Sequence, residues 1–226
     1  MTTKHIKIKQ LDTQSNKVSS NNDIVLADVK YKIHFSDQSF TFHAVPQLMQ
    51  HLIQGLHYVH HQSLSKLTIS DEIPNEFKVS IANDDYASLF PQPLSDLSIQ
   101  PTMIKDWVRQ FKSQQTLYRK TGATESVGLL IDEHTILTIE CLDFKTCTFK
   151  LLGNIIKKQC PYYPILFISH KIHPEHVSLI DHLQPQVIIC QSAISDTAIT
   201  QLIAKKCTVF GFCRKHKFNR YSNFHL

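Results

Sequence analysis

The chain has 226 residues, 42% of them hydrophobic and 19% charged, enough apolar material for a sizeable core, which excludes a disordered or fibrous protein. No apolar run approaches the roughly 20 residues that cross a bilayer, and none follows the start as an export signal would, so a cytoplasmic protein with reduced thiols is the expectation for its six cysteines. The net charge of +5 is modest, and only five glycines occur, which leaves little material for a glycine-rich phosphate loop.

Residues 1–22 are rich in Ser, Asn, Gln and Lys and are expected to be a flexible terminus despite the short Ile6-Lys-Ile8 alternation. From Ile24 to Phe35 and from Ser39 to Val45, β-branched and aromatic residues predict a hairpin that turns at Ser36-Asp37-Gln38. Pro46 opens a helical spacing of Leu48, Met49, Leu52, Ile53 and Leu56, and shorter strands follow at Leu64–Ile69 and Phe77–Ile81. An α+β unit with its linker is therefore assigned to residues 23–100, the stretch 83–100 being rich in Asp, Ser, Pro and Gln.

Pro101 suits the first turn of a helix that carries Ile104, Trp107, Phe111 and Tyr118 on one face. Strands are predicted at Val127–Ile131, Thr135–Glu140, Ile165–Ser169, Val187–Cys190 and Thr208–Phe212. Helices are predicted at Phe144–Lys157, Pro174–Leu183 and Thr197–Lys206, the last capped by Ser195 and Asp196. Short apolar strands between amphipathic helices predict a three-layer α/β domain over residues 101–226, largely parallel in its last half.

Charge is uneven. No acidic residue follows Asp196, whereas Lys205, Lys206, Arg214, Lys215, Lys217 and Arg220 do, and residues 1–196 sum to −1. Such a cluster either solvates a surface or collects an anion; nucleic acid is the lesser option, since neither an aromatic ladder nor zinc-finger spacing accompanies it. Metal sites are not assigned. His173-Pro-Glu175 has half of a zinc deaminase signature but no Cys-x-x-Cys follows, so it reads better as a helix start, and His57, His60 and His61 read as an exposed helix edge. Among the cysteines, Cys213 alone has cationic neighbours, Arg214 and Lys215, of the kind that lower a thiol pKa.

The closing stretch Val209-Phe-Gly-Phe-Cys-Arg-Lys-His-Lys-Phe-Asn-Arg-Tyr-Ser222 resembles the terminal Gly-Phe-x-Arg-x-x-x-Phe-x-x-Tyr signature of the formate dehydrogenase accessory sulfurtransferases, the FdhD family. Gln191-Ser192-Ala193 is similar to the family's Ser-Ala-Pro-Thr turn, and Tyr118-Arg-Lys-Thr-Gly-Ala-Thr-Glu125 to its Thr-Gly-Gly-Thr-His turn, with Glu125 in the histidine's place. The resemblance spans about residues 24–226. It implies a cytidine-deaminase-like α/β domain with a smaller N-terminal part. It also implies a role in carrying sulfur from a cysteine desulfurase to the molybdenum bis(molybdopterin guanine dinucleotide) cofactor of formate dehydrogenase, and a homodimer. The residues expected at the cofactor are Phe212, Cys213, Arg214, Lys215, His216, Lys217, Thr121, Gly122 and Ser192, with Cys213 the candidate nucleophile.

The departures bear on chemistry. Residues 83–100 contain no cysteine, so the family's sulfur-carrying Cys-x-x-Cys has no counterpart. The family's Glu-Asp-Ile-Gly-Arg-His-Asn stretch reads Glu140-Cys-Leu-Asp-Phe-Lys-Thr146, retaining Glu140 and, further on, Lys150 and Gly153, and its Ser-Gly-Arg turn reads Ser169-His170-Lys171. Two expectations therefore stand side by side: sulfur transfer through another thiol, or binding of a guanine-nucleotide-bearing cofactor or a partner enzyme without moving sulfur.

Overall fold

The computed structural model describes residues 3–15, 17–62, 64–83, 89, 91, 99–159, 161–214 and 217–221. The predicted linker at 83–100 therefore lies almost wholly outside the described residues, as do Cys160, Lys215 and His216.

The chain opens on a correction. The segment expected to be a flexible terminus pairs as an antiparallel ribbon, β1 (Thr3–Asp12) with β2 (Lys17–Leu26), in register from Thr3 opposite Leu26 to Asp12 opposite Lys17. Its apolar residues Ile6, Leu11 and Val18 stay exposed, so the alternation lacks the buried face by which a strand is usually read.

Strands β3 (Val29–His34), β4 (Ser39–Ala44), β5 (Lys66–Ile73) and β6 (Glu76–Asn83) form a second sheet in the order β4-β3-β6-β5, in which only the β3–β6 pair is parallel. Tyr31, Ile33, Phe42, Ala44 and Val79 on this sheet bury against Leu52, Ile53 and Leu56 of helix α1 (Met49–His61). His57 belongs to this buried face, tilted against Phe35 and stacked on His61, and not to an exposed edge; His60 and His61 are exposed.

The larger sheet has six strands in the order β12-β11-β10-β9-β7-β8. These are β7 (Glu125–Asp132), β8 (Thr135–Cys141), β9 (Tyr163–Ile168), β10 (Val187–Cys190), β11 (Thr208–Arg214) and β12 (Lys217–Tyr221). Strands β9, β10 and β11 are parallel; β7 and β8 on one side and β12 on the other are antiparallel to their neighbours. Successive residues of the central strands feed opposite cores, as a pleat requires. Leu166, Ile168, Ile188 and Cys190 face helices α4 (Phe144–Lys158), α5 (Pro174–Asp181) and α6 (Asp196–Ala204), while Ile165, Phe167, Val187 and Ile189 face α2 (Pro101–Gln114). This is the expected three-layer arrangement.

Local chemistry sets the ends of these helices. Pro101 and Pro174 occupy first turns, where a missing N–H costs nothing, and His173 is the N-cap of α5. The Asp143 carboxylate accepts from the Thr146 amide at 2.8 Å, and the Ser195 hydroxyl from the Ala198 amide at 3.4 Å. Helix α2 ends at Gln114 rather than running on to Tyr118, which falls on a separate short helix, α3 (Thr116–Thr121), and is half exposed. Gly122 closes α3 with φ +65°, a left-handed position that glycine adopts without strain.

Two features join and shape these parts. Helices α1 and α4 cross with backbones in contact: a Cβ on Gly55 would lie 1.9 Å from the Phe149 carbonyl oxygen, and one on Gly153 1.8 Å from that of His51. Beside this seam, the buried Lys150 ammonium donates to the Val45 carbonyl at 3.0 Å, and burial holds its pKa below the usual lysine value. In β11 the pairing with β12 slips between Gly211 and Arg214, a bulge at which Phe212 takes φ +54° and donates its amide to the Ser192 carbonyl at 3.0 Å.

Candidate functional site

The parallel strands β9, β10 and β11 end at one edge of the large sheet, and because β7 runs the other way its first residue arrives at that same edge. There a cavity of about 770 Å³ opens, lined by Gly122, Glu125, His170, Gln191, Ser192, Cys213 and Arg214 among others. The carboxyl ends of parallel strands are where open α/β sheets place ligands.

Arg214, the last residue of β11, leans over the end of β10. Its Nε donates to the Gln191 carbonyl at 2.7 Å and one terminal nitrogen to the Ser192 hydroxyl at 3.4 Å, leaving Nη1 without a hydrogen-bond partner among the described residues. Lys112 of α2 adds a second cation to the lining. A fixed, partly committed guanidinium in a lining that also holds a lysine is suited to a phosphate or carboxylate.

The opposite wall is held by Glu140 of β8. Its carboxylate accepts from the Leu117 and Tyr118 amides, both at 2.9 Å, from the Thr116 hydroxyl at 3.3 Å and from the Thr124 hydroxyl at 3.2 Å. It thereby pins α3 and the turn 122–125 to the sheet. Thr121 does not line the cavity; its hydroxyl donates to the Leu117 carbonyl and accepts from the Ala123 amide, shaping that turn.

Of the residues anticipated from sequence, Gly122, Ser192, Cys213 and Arg214 share this cavity. Lys217 lies in an adjoining groove with Lys105, of about 230 Å³, which Cys213 and Arg214 border from the other side. Phe212 lines neither and is 44% exposed. The anticipated Lys215 and His216 lie outside the described residues. Lys112, Gln115 and Gln191 were not anticipated; the available signal was their position at element ends facing the same sheet edge.

The thiols behave differently from the expectation for Cys213. Cys213 is only 2% exposed, its pKa is pushed up to about 12 by burial and by the neighbouring Cys190, and the Arg214 guanidinium is committed to Gln191 and Ser192. Sequence adjacency to arginine therefore does not make it a low-pKa thiol. Burial likewise raises Cys190 to about 12 and Cys207 to about 11, and raises Cys147. All five described cysteines are free and buried. Cys141, Cys147, Cys190, Cys207 and Cys213 are accordingly expected to resist iodoacetamide at neutral pH until the protein unfolds, as mapped by mass spectrometry; rapid labelling of Cys213 in the folded chain would contradict its burial.

In the cavity lining His170 is largely buried, and burial with the neighbouring His176 and His173 lowers its pKa to about 3, so it is neutral. Its Nδ1 lies 3.6 Å from Glu125 Oε2, and neither ring nitrogen has a hydrogen-bond partner among the described residues. No group of three His, Cys, Asp or Glu side chains among the described residues is placed to hold a metal ion, and no described helix is long and apolar enough to cross a membrane.

An α/β sheet with an anion-suited cavity at its strand ends defines a broad class of ligand-binding proteins. Within it, the crystal structure of a protein provisionally described as a formate dehydrogenase accessory protein, from Desulfotalea psychrophila, superimposes with a TM-score of 0.81 over 100% of this chain and 99% of that one, at 13% sequence identity, and so shares the fold. No curated protein matches the chain. The FdhD/NarQ family model matches residues 74–225, and the chain belongs to that family.

Proposed function

We propose that the chain is an accessory protein in formate dehydrogenase maturation that binds the guanine-nucleotide end of the molybdenum cofactor in the cavity at the strand ends, without carrying sulfur itself. The observation that carries this reading is the fixed Arg214 guanidinium, with Lys112 in the same lining, over a cavity built from the family's turn and terminal segments. A diphosphate fits these donors: the cations would hold it, and Gly122, whose missing side chain leaves the cavity rim open, would let it approach the turn.

Binding is preferred to sulfur transfer because the chain has no cysteine in residues 83–100, and the described thiols are all buried, with burial raising Cys147, Cys190, Cys207 and Cys213 above the usual thiol pKa. In this reading the partner enzyme is a formate dehydrogenase, and sulfur from a cysteine desulfurase would travel by another carrier. A homodimer remains part of the same proposal.

Calorimetric titration with GDP at two salt concentrations tests it. Binding should weaken with salt, as ion pairs at a partly open site do, and Arg214→Ala should lower affinity at least tenfold with little change in melting temperature. Absence of GDP binding, or an affinity unmoved by Arg214→Ala, refutes the assignment of this site.

A further inference from the structure

We infer that Glu125 is the group by which the cavity selects its base: its carboxylate receives the paired N–H donors of a guanine edge while Arg214 holds the phosphates, so the ligand lies along the strand ends with a fixed polarity. The inference rests on the reading of the cavity as a nucleotide site and adds the orientation and the selecting residue.

The strand order places these groups. Ends of β11, β10, β9 and β7 follow one another along the cavity, with Arg214 on the first and Glu125 on the last. Since the guanidinium reaches back over β10, about two strand spacings, or roughly 10 Å, separate it from the Glu125 position. That is of the order of the reach from a 5′-diphosphate across ribose to the far edge of a purine. The cavity is therefore cationic at one end and carboxylate-bearing at the other. A ligand that is anionic throughout would meet Glu125 as a like charge.

The Glu125 carboxylate accepts from the Phe144 amide and retains acceptor capacity beyond that bond. Its side chain is 35% exposed, and the basic group within 4 Å of it among the described residues, His170, is held neutral by burial and stands at 3.6 Å, beyond hydrogen-bond reach. Burial and the neighbouring Asp143 raise its pKa, with the Phe144 amide pulling it partly back. A half-buried acceptor of this kind is stabilised by a ligand that brings donors. Guanine offers N1–H and N2–H side by side, matched to two carboxylate oxygens; adenine offers an acceptor at N1, which a carboxylate repels. Hypoxanthine keeps N1–H and lacks the amine, so it should fall between.

Calorimetry with GDP, IDP and ADP on the full chain tests this, together with Glu125→Gln. The wild type should bind in the order GDP, IDP, ADP, with at least thirtyfold between first and last. Glu125→Gln should lose at least tenfold for GDP while binding ADP at least as well as the wild type, since the carboxylate that repels adenine N1 is gone, and that retained binding also shows that the variant is folded. Equal affinities for GDP and ADP in the wild type, or an unchanged ratio in the variant, would overturn the role of Glu125 and leave the nucleotide site standing. Failure of all three nucleotides to bind would remove the site and this inference together.

Discussion

Alanine at Gly55 or Gly153 is expected to destabilise the protein by about 3 kcal/mol, the upper end of what overpacking usually costs, because the added carbon meets backbone rather than a side chain that can turn away. The clearances of 1.9 Å to the Phe149 oxygen and 1.8 Å to the His51 oxygen can be relieved only by parting helices α1 and α4. On an exposed helix the same substitution stabilises by up to about 1 kcal/mol, so the sign alone is diagnostic. A fall of about 10 °C in melting temperature is the expected reading for a chain this long. An unchanged or raised midpoint would mean that the helices do not cross backbone to backbone.

The second large effect is expected at Glu140. Its carboxylate accepts four hydrogen bonds from Thr116, Leu117, Tyr118 and Thr124, and in Glu140→Ala the amides of Leu117 and Tyr118 lose their acceptor. Charged hydrogen bonds contribute about 1.5–3 kcal/mol each where buried; because Thr116 and Tyr118 are exposed, a total near 2 kcal/mol is expected. Amide exchange should accelerate first in α3 and the 122–125 turn, and GDP affinity should fall with it, since that turn is a wall of the cavity. Protection in α3 equal to that of the wild type would show that Glu140 does not anchor it.

The legibility of this chain in its sequence follows burial. Strand β10 was predicted with the bounds it has, Val187–Cys190, and α4 to within one residue, because both carry nearly continuous apolar runs into a two-sided core. The β1–β2 ribbon was not legible, since its strands have almost no buried face, and β12, Lys217-Phe-Asn-Arg-Tyr221, reads as a basic tail for the same reason. At the site, the terminal segment and the 121–125 turn were legible as family signatures. The acidic end of the cavity was not: Glu125 meets His170 only because β7 runs antiparallel to β9, a topological fact that no local pattern of residues states. For Cys213 the sequence pointed to an arginine neighbour, and folding placed the two side chains on different sides of the strand.

That separation is a matter of parity. Along an unbroken strand Phe210, Phe212 and Arg214 would share a face, and Phe210 packs in the core beneath α2. The extra residue in β11 advances the count by one, so that Cys213 joins Phe210 in the core and Arg214 is carried outward to the cavity. The left-handed backbone at Phe212 is the local strain that accompanies this shift, a cost of order 1–3 kcal/mol for a residue other than glycine. The cation at the mouth of the site is thus fixed by a reading frame: the same residues paired without the bulge would turn the guanidinium toward the hydrophobic layer and present the thiol to the ligand instead.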